Sequence, residues 1–564
     1  MVILNSKKWG DILLLLNCIM LLIVLNQVAS NYFFRIDLTE EGRYTIKPQT
    51  IQLLRNLDDE VFIEVYLDGD LNPGFTRVKN FTRETLEEFR VYSNNKVRYT
   101  FTNPGSAISQ NARNEFISSL AQKGISPLNV VENQGGQRSQ KLVFPGALVS
   151  YGGLETGVMF LKGATGRGSP QEMLNQAVED IEYELINAIS KLVSTQSKRI
   201  GWVVGHGELD SLHVAGFTHA LLEQYQVIKI NLSEQKELTG YDLLIIAKPK
   251  SKFLPAELYI LDQFIMTGGK VIFLVDRLDA TMEKASAENY FAIPYEINLD
   301  DMLFRYGVRI NPDLVQDISS VKYPVVTGQA SGRPQITPIE WPFFPLVNHF
   351  STHPATRNLD AVVLKFASSI DTIKTNDVVK TPLMFTSQYS RILAAPVKVS
   401  AAGLRAELKP DNFQAGPIPL GYLLEGRFIS LFKNRFKPEG FDESKFIESG
   451  SATKMVVISD GDMVRNEISA QTGQPSPLGF DPIFNVTFAN QDLMLNLISY
   501  LINEDGIINA RSREIKIRPL DKTKIVQDRM YWQTINLVVP ILIMIVFGLV
   551  INYIRSRKYS IKNN

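Results

Sequence analysis

Three short polar motifs contain residue types that can do chemistry. They are Gly205-His206-Gly207-Glu208, Asp276 and Asp460-Gly461-Asp462, and each follows a run of apolar residues typical of a buried strand. Carboxylates and an imidazole that lie together can bind an ion or a small ligand, or act as general acid and base. We therefore treat His206, Glu208, Asp276, Asp460 and Asp462 as candidate ligand-binding residues.

A simpler explanation for the same residues is local, because Asp and Gly are also favoured where strands end and helices begin. With five histidines and one cysteine, the chain is not expected to hold a metal ion. The sequence has no G-x-S-x-G nucleophile elbow and no P-loop. We expect no catalytic residues, no bound cofactor and no ATPase activity within this chain.

The elements that must position the candidate residues follow an α/β pattern. Between residues 199 and 275, continuous apolar strands alternate with helices, which predicts a parallel sheet covered on both faces. Residues 454–459 resemble a further buried strand, and residues 493–501 a helix. We interpret this region as a flavodoxin-like, doubly wound α/β domain. Its strands would bring the candidate residues to one carboxyl edge.

The pattern along the chain divides it into seven segments. We predict that the flavodoxin-like domain is interrupted by a β-rich insertion, in which Pro, Gly and Ser recur between residues 311 and 354. The segments are an N-terminal tail and anchor (1–30), a membrane-proximal α/β domain (31–196), the first part of the flavodoxin-like domain (197–302), the insertion (303–450), the completion of that domain (451–510), a juxtamembrane segment (511–534), and a transmembrane helix with a basic tail (535–564).

Both ends of the chain are apolar. Residues 535–554 contain no charged side chain, and about 20 such residues cross a bilayer as a helix. Residues 12–25 are shorter, and Val28-Ala29-Ser30 also suits signal-peptide cleavage. A helix that extends from Trp9 to Val28 would be long enough for an anchor, so an uncleaved anchor is favoured over a cleaved signal. Basic residues flank both segments on their terminal sides. We expect both termini in the cytoplasm of a bacterium and the main region in the periplasm.

Overall charge argues against one class of partner. The chain carries 59 basic and 59 acidic residues, and this neutral balance gives no bulk positive charge for nucleic acid. Its 45% hydrophobic and 21% charged residues are typical of a folded chain rather than a disordered one. The composition therefore predicts no nucleic-acid partner, whereas the apolar ends of the chain predict contact with a lipid bilayer.

Several motifs in order give the chain a resemblance to a known family. Beyond the three polar motifs, they include Arg35-Ile36-Asp37-Leu38-Thr39, Gly268-Gly269-Lys270 and the segment from Arg511 to Asp521 that leads through Trp532 into the final apolar stretch. The chain resembles the GldG family, which are auxiliary proteins of gliding-motility-associated ABC transporters in Bacteroidetes.

This resemblance implies an inner-membrane auxiliary subunit that works beside a separate ABC permease and a separate ABC ATPase. It also implies a class I glutamine-amidotransferase-like fold without the nucleophile, and a role in gliding motility with unknown cargo. Two other functions remain open: a membrane-anchored hydrolase or carbohydrate-active enzyme that uses the polar strand ends, and a binding protein that captures a substrate.

Overall fold

The structure is a computed structural model, and two units of the chain, Met1–Arg513 and Glu514–Asn564, are compact by themselves. The residues that it describes are 6–31, 46–104, 110–134, 137–161, 170–193, 198–285, 290–330, 333–375, 377–400, 408–469, 471–502 and 529–560.

The N-terminal part contains a long helix and a four-stranded sheet in the order β2-β1-β5-β6, in which β1 pairs with β2 in parallel and with β5 antiparallel. Gly152 and Gly153, both with positive φ, form the hairpin turn between β5 and β6. The elements are α1 (Ser6–Asn31), α2 (Pro48–Arg55), β1 (Val61–Val65), α3 (Pro73–Tyr92), β2 (Val97–Phe101), α4 (Gln110–Gln122), β3 (Leu128–Gln134), β4 (Gln137–Val143), β5 (Gly146–Tyr151), β6 (Leu154–Met159) and α5 (Pro170–Val193).

The next part of the chain begins with alternating strands and helices. Its elements are β7 (Lys198–Val204), α6 (Ala215–Leu222), β8 (Tyr225–Asn231), β9 (Leu243–Ala247), α7 (Pro255–Met266), β10 (Lys270–Leu274), α8 (Met282–Ala285), β11 (Phe291–Ala292) and α9 (Asp300–Tyr306). Every residue of β9 is buried, as the unbroken apolar run predicts for a strand covered on both faces.

A strand-rich region follows. It contains β12 (Val308–Ile310), β13 (Asp313–Asp317), β14 (Ser320–Ala330), β15 (Arg333–Val347), β16 (His349–Phe350), β17 (Val362–Val363), β18 (Ile370–Thr372), β19 (Val378–Phe385), β20 (Ser390–Ala394), β21 (Val397–Lys398) and β22 (Pro419–Ile429). The long hairpin of β14 and β15 lies in the part of the predicted β-rich insertion where Pro, Gly and Ser recur, and the sequence did not indicate these two strands individually. Its prolines hid the strands, although proline is compatible with edge positions and bulges.

The next strand, β23 (Ser449–Ile458), belongs to the large sheet. It is followed by β24 (Phe480–Asp481) and β25 (Val486–Thr487), which pair with each other, and by α10 (Asn490–Ile502). The large sheet has eight strands in the order β16-β19-β22-β23-β10-β9-β7-β8. The five from β23 to β8 are mutually parallel, whereas β22, β19 and β16 run antiparallel to their neighbours. This confirms a mixed α/β architecture.

Two buried clusters stabilise this region. One lies around α7 and α9 and contains Phe264, Tyr306 and Phe428. The other is aromatic and belongs to the strand-rich region, where Trp341, Phe344 and their neighbours pack together. Burial of such large side chains is worth roughly 1.5–3 kcal/mol each, so these clusters hold the loops at the sheet edge in place.

The C-terminal unit contains α11 (Arg529–Ser560). Within it, Met530–Arg557 is the one helix among the described residues that is long and apolar enough to cross a membrane. The apolar part of α1, Leu13–Val24, is shorter than that. The juxtamembrane motif from Arg511 to Asp521 and the Arg35–Thr39 motif lie outside the described residues.

Candidate functional site

The candidate residues lie at the carboxyl edge of the large sheet. His206 and Glu208 follow β7, Asp276 follows β10, and Asp460 and Asp462 follow β23. These three strands are parallel members of one sheet, so their carboxyl ends meet at the same edge. The side chains nevertheless do not form one site. They form two clusters, each completed by a residue that the sequence did not single out.

The first, which we call the histidine cluster, consists of His206, Glu208 and Glu257. The Nδ1 atom of His206 lies 3.2 Å from Glu208 Oε1, and its Nε2 atom lies 3.0 Å from Glu257 Oε2. The imidazole is stacked on the ring of Phe253, with 3.7 Å between the ring centroids. Because each ring nitrogen faces a carboxylate, the arrangement favours the doubly protonated imidazolium.

Local backbone geometry explains why this motif has its sequence. Gly205 and Gly207 have φ values of 120° and 75°, a region that glycine occupies without strain, so the chain turns sharply on both sides of His206. The carboxylate of Glu208 also accepts the backbone N–H of His206 at 2.6 Å. Glu257 accepts the backbone N–H of Leu254 at 2.7 Å and so caps the start of α7.

Two electrostatic effects shift the pKa of His206 in opposite directions. Burial by itself would lower the pKa of His206, but the hydrogen bonds and charges of Glu208 and Glu257 outweigh it, and the pKa lies above its usual value. The histidine side chain is only 4% exposed. A charged imidazolium between two carboxylates stabilises the fold, but its ring nitrogens are already occupied and are not available to a ligand.

The second, the lysine cluster, consists of Lys248, Asp276, Asp460 and Asp462. Lys248 directly follows β9, and its Nζ atom lies 2.8 Å from Asp276 Oδ2 and 2.5 Å from Asp462 Oδ2. Asp276 also accepts the backbone N–H of Gly461, and Asp460 accepts that of Asp462 at 2.7 Å. The carboxyl end of β9 is thereby joined to the ends of β10 and β23.

Lys248 has an unusual backbone. Its φ is 58°, in the left-handed region that is uncommon for residues other than glycine. The side chain is 2% exposed. Such a strained position at the end of a central strand is a typical feature of functional sites, and here it directs an ammonium group into two buried carboxylates.

The four side chains of the lysine cluster have pKa values that are shifted in different directions. Burial would lower the pKa of Lys248, but Asp276 and Asp462 outweigh it and raise the pKa. Burial raises the pKa of Asp276 despite Lys248, and burial together with the neighbouring carboxylates raises the pKa of Asp460 well above its usual value. Burial would also raise the pKa of Asp462, but Lys248 outweighs it and lowers this pKa. Lys248 therefore stays charged, which leaves it neither a base nor a nucleophile.

Neither cluster resembles a metal centre. Among the described residues, no three or more His, Cys, Asp or Glu side chains are grouped as metal ligands. Lys248 and Glu257 were not among the candidate residues predicted from the sequence. A lysine directly after the apolar run of β9 was a visible signal, whereas the contact between Glu257 and His206, 51 residues apart, has no sequence signature.

A cavity lies at the edge of the large sheet where the parallel strands begin, opposite the edge that holds the two clusters. It has a volume of about 650 Å³ and is lined by the segments 236–242, 263–270 and 440–447, with Tyr259 at its aromatic wall. None of the five candidate residues lines it. Nothing in the sequence indicated this cavity, because the segment around Phe441, between β22 and β23, packs on α7 only in the folded chain.

Comparison with known proteins gives the family. The model of a family described as an ABC-type uncharacterized transport system, an ABC-transporter auxiliary family, matches residues 197–497, which is more than half of the chain. This chain belongs to that auxiliary family. A domain of unknown function matches residues 40–150. The matched residues include β7, β10, β23 and both clusters.

Two individual proteins are also similar. A protein of Borreliella burgdorferi, described as uncharacterized, is 22% identical over 543 residues, which cover 93% of this chain and 94% of its own length. Among solved structures, the N-terminal domain of mmIFT52 matches with a TM-score of 0.31 and 12% identity, over 54% of this chain and 98% of that domain. The family match supports a transport-associated role, and the finer resemblance to the GldG family is not part of it.

Proposed function

We propose that this protein is a non-catalytic, membrane-anchored auxiliary subunit of an ABC transport system. The observation that carries the proposal is the family match over residues 197–497. The helix Met530–Arg557 supplies a candidate anchor, with a length and composition that suit a bilayer. The permease and the ATPase would be separate chains, which is consistent with the absence of a P-loop in the sequence.

The strand order supports the flavodoxin-like interpretation of the parallel region. The parallel strands follow one another along the chain as β7, β8, β9, β10 and β23. Counted from the edge strand β8, they occupy the second, first, third, fourth and fifth positions in the sheet. That is the flavodoxin-like order of a doubly wound sheet. The antiparallel strands β22, β19 and β16 extend the same sheet from the strand-rich region.

The chemistry of the carboxyl edge supports a non-catalytic role. In many α/β enzymes a nucleophile occupies a strained turn between strand and helix. Here the residue with positive φ between β9 and α7 is Lys248, and its ammonium group is held by two carboxylates. His206 is likewise bound at both ring nitrogens. Both side chains are paired with neighbouring carboxylates, which argues against the alternative of a hydrolase.

Co-purification tests the auxiliary role. The tagged full-length chain, extracted in a mild detergent, should bring down an ABC permease and an ABC ATPase in a constant ratio. A matched variant in which four residues of α11 (Leu542, Ile545, Leu549 and Tyr553) are replaced by other apolar residues of different shape keeps the anchor and should lose partners that pack on this helix. Recovery of the folded chain without either subunit would overturn the proposal.

The two-span arrangement, with both termini in the cytoplasm and the main region in the periplasm, is a further part of the proposal. The single cysteine, Cys18, makes it simple to test. In a Cys18→Ser background, a membrane-impermeant maleimide added to intact spheroplasts should label Ser118→Cys and should spare Ser560→Cys until the membrane is permeabilised. Labelling of both, or of Ser560→Cys alone, would overturn this topology.

A role in gliding motility is the finest part of the proposal and rests on the resemblance to the GldG family. In a gliding host, deletion of the gene should abolish colony spreading, and a plasmid copy should restore it. Normal spreading of the deletion strain would remove gliding from the proposal and leave the transport role to the co-purification test.

A further inference from the structure

A small pocket adjoins the lysine cluster and shares Asp462 with it. Its volume is about 170 Å³, and it opens between the β14–β15 hairpin and the segment of residues 478–490. Lys365, Arg465, Asp462 and Glu467 line one part of it. Lys322, Asp481 and Asn490 add further polar groups, and aromatic and aliphatic side chains line the rest. The pocket thus presents a polar end and an apolar end at the sheet edge where α/β proteins bind ligands.

At the polar end, most charges already have close partners. The Nζ atom of Lys365 lies 2.5 Å from Glu467 Oε1. Asp462 is held by Lys248 at 2.5 Å through its Oδ2 atom. These pairs are as short as charge-assisted hydrogen bonds become, so they leave little for a ligand to gain by replacing them.

Arg465 differs from its neighbours. Its Nη1 atom lies 3.5 Å from Asp462 Oδ1, and its Nη2 atom lies 4.0 Å from Glu283 Oε1. Both distances exceed the roughly 2.7–2.9 Å of a charge-assisted N–H···O bond. The guanidinium therefore keeps donor capacity in the planar fork that recognises carboxylates and phosphates.

The lysine cluster positions this cation. The backbone N–H of Arg465 donates to the carbonyl of Asp462 at 2.8 Å, in the turn that ends the 3₁₀ helix Gly461–Val464. The fully buried Asp460 accepts the backbone N–H of Lys365 at 2.8 Å. Lys365 and Arg465 thus extend from backbone that is hydrogen-bonded to Asp460 and Asp462 respectively, which lowers the entropy lost when a ligand binds.

The apolar end is rigid for a different reason. Phe344 is 5% exposed, and its ring meets the rings of Tyr323 and Phe366 edge to face, with centroid distances of 6.0 and 5.2 Å. Phe480 and Phe488 complete the wall from the opposite segment. Aromatic walls of this kind suit a flat or branched apolar group, because they add specific geometry to the burial of apolar area.

We propose that this pocket binds a small carboxylate that carries an aromatic or branched apolar group. The carboxylate would lie on the guanidinium of Arg465, and the apolar group would lie against Phe344 and Tyr323. The volume is well below the roughly 300–1,000 Å³ of pockets for larger ligands, which restricts the occupant to a small molecule or one terminal residue. The proposal goes beyond the auxiliary role and does not depend on it.

Two matched probes test the chemistry on the unmodified protein. The full-length chain in detergent micelles is titrated with phenylacetate and with its neutral analogue phenylacetamide, and binding is followed by ligand-observed NMR. We expect saturable binding of phenylacetate, with an affinity at least about tenfold higher than that of the amide, because only the carboxylate can accept a charge-assisted pair of bonds. No saturable binding, or equal binding of both probes, would overturn the proposal.

Two variants locate the site. Arg465→Gln should weaken phenylacetate binding at least about tenfold. Arg427→Gln makes the same change at an exposed arginine of β22 that does not line the pocket, and should leave binding unchanged. Thermal unfolding of each variant confirms that it is folded. Unchanged binding by folded Arg465→Gln, or equal losses in both variants, would overturn the assignment to this pocket.

A third probe identifies the source of the carboxylate. N-acetylphenylalanine presents its carboxylate as the end of a peptide does, whereas phenylacetate is a free small acid. Tighter binding of N-acetylphenylalanine assigns the pocket to a peptide C-terminus, and tighter binding of phenylacetate assigns it to a small acid. Loss of partner subunits in the co-purification leaves all of these titrations unaffected, so the two proposals fail independently.

Discussion

The two clusters at the carboxyl edge use buried charge in different ways. The histidine cluster places one imidazole between two glutamates, and two of its three members lie within three residues of each other. The lysine cluster joins the ends of three neighbouring strands, β9, β10 and β23, through one ammonium group. The cation of the first cluster is a histidine, whose pKa is raised above its usual value by the two glutamates, whereas the cation of the second is a lysine that stays charged.

This difference has a consequence for stability. Removal of one member of a buried ion pair leaves an uncompensated charge, which destabilises a protein far more than the loss of an exposed pair does. The lysine cluster also connects the strand that follows the insertion to the strands that precede it. We therefore expect it to dominate the stability of the sheet, and the histidine cluster to make that stability depend on pH.

The largest effect is expected for Lys248→Met. The variant leaves Asp276 and Asp462 buried without their cation, and it should lose about 3–5 kcal/mol of the free energy of unfolding. The shift of the denaturant midpoint of the full-length chain measures this loss. In the double variant Lys248→Met with Asp276→Asn, one stranded charge is gone, so the loss should be smaller than the sum of the two single losses. A simple additive loss would contradict the coupled cluster.

A glycine next to each cluster allows a second comparison of their stability. A Cβ atom on Gly461 would lie 2.6 Å from Lys248 Cβ and 2.9 Å from Lys248 Cα, so Gly461→Ala must displace backbone and should cost about 2–3 kcal/mol. Gly207 has a φ of 75°, but its Cβ would meet Lys250 Cβ at an ordinary 3.4 Å, and Gly207→Ala should cost about 1 kcal/mol from backbone strain.

Denaturant midpoints of the two alanine variants decide this comparison. Equal losses would show that backbone strain alone matters and that close packing around Lys248 does not. A larger loss for Gly207→Ala would reverse the ranking of the two clusters, because it would place the tighter constraint at the histidine motif.

The sequence predicted the sheet far better than the site. The unbroken apolar run of β9 and the return of an apolar strand at residues 454–459 indicated parallel strands, since a strand buried on both faces needs no polar alternation. The hairpin of β14 and β15 was missed because its prolines and glycines imitate loops. The domain boundaries and the ligand-binding role of the five candidate residues remain predictions.

The partners within the site were harder to predict for a physical reason. His206, Asp276 and Asp460 were found because polar residues directly after apolar strands are conspicuous. Glu257 and Arg465 were not, since in the sequence alone one is an ordinary helix cap and the other an ordinary cation. Their roles depend on where α7 and the turn after β23 lie in space, and periodicity along the chain contains no such distances.

The pH dependence of stability separates the clusters further. Because the pKa of His206 is raised above 6.5 in the folded chain, its contribution to stability is fully present below that pH and is lost as the pH rises through the folded pKa. His206→Gln should therefore lose about 2 kcal/mol at acid pH, from two charge-assisted bonds, and progressively less at alkaline pH.

Unfolding measured across this range in the wild type and in His206→Gln checks the sign. Glu257→Gln serves as the second variant, because it leaves the histidine in place with one carboxylate removed, and the decline of stability with rising pH should become shallower. A difference between wild type and His206→Gln that grows with rising pH would contradict the charged imidazolium.

The smallest effect is expected for Lys445→Met, the same substitution as at Lys248 but in an exposed pair. Lys445 Nζ lies 3.8 Å from Glu237 Oε1, and the two side chains are 69% and 65% exposed. Solvent screens such a pair, so its loss should change the free energy of unfolding by about 0–0.5 kcal/mol. Because both variants exchange lysine for methionine, the ratio of their denaturant shifts isolates the effect of burial. Similar shifts would mean that the lysine cluster derives its stability from the packing of a side-chain stem rather than from charge.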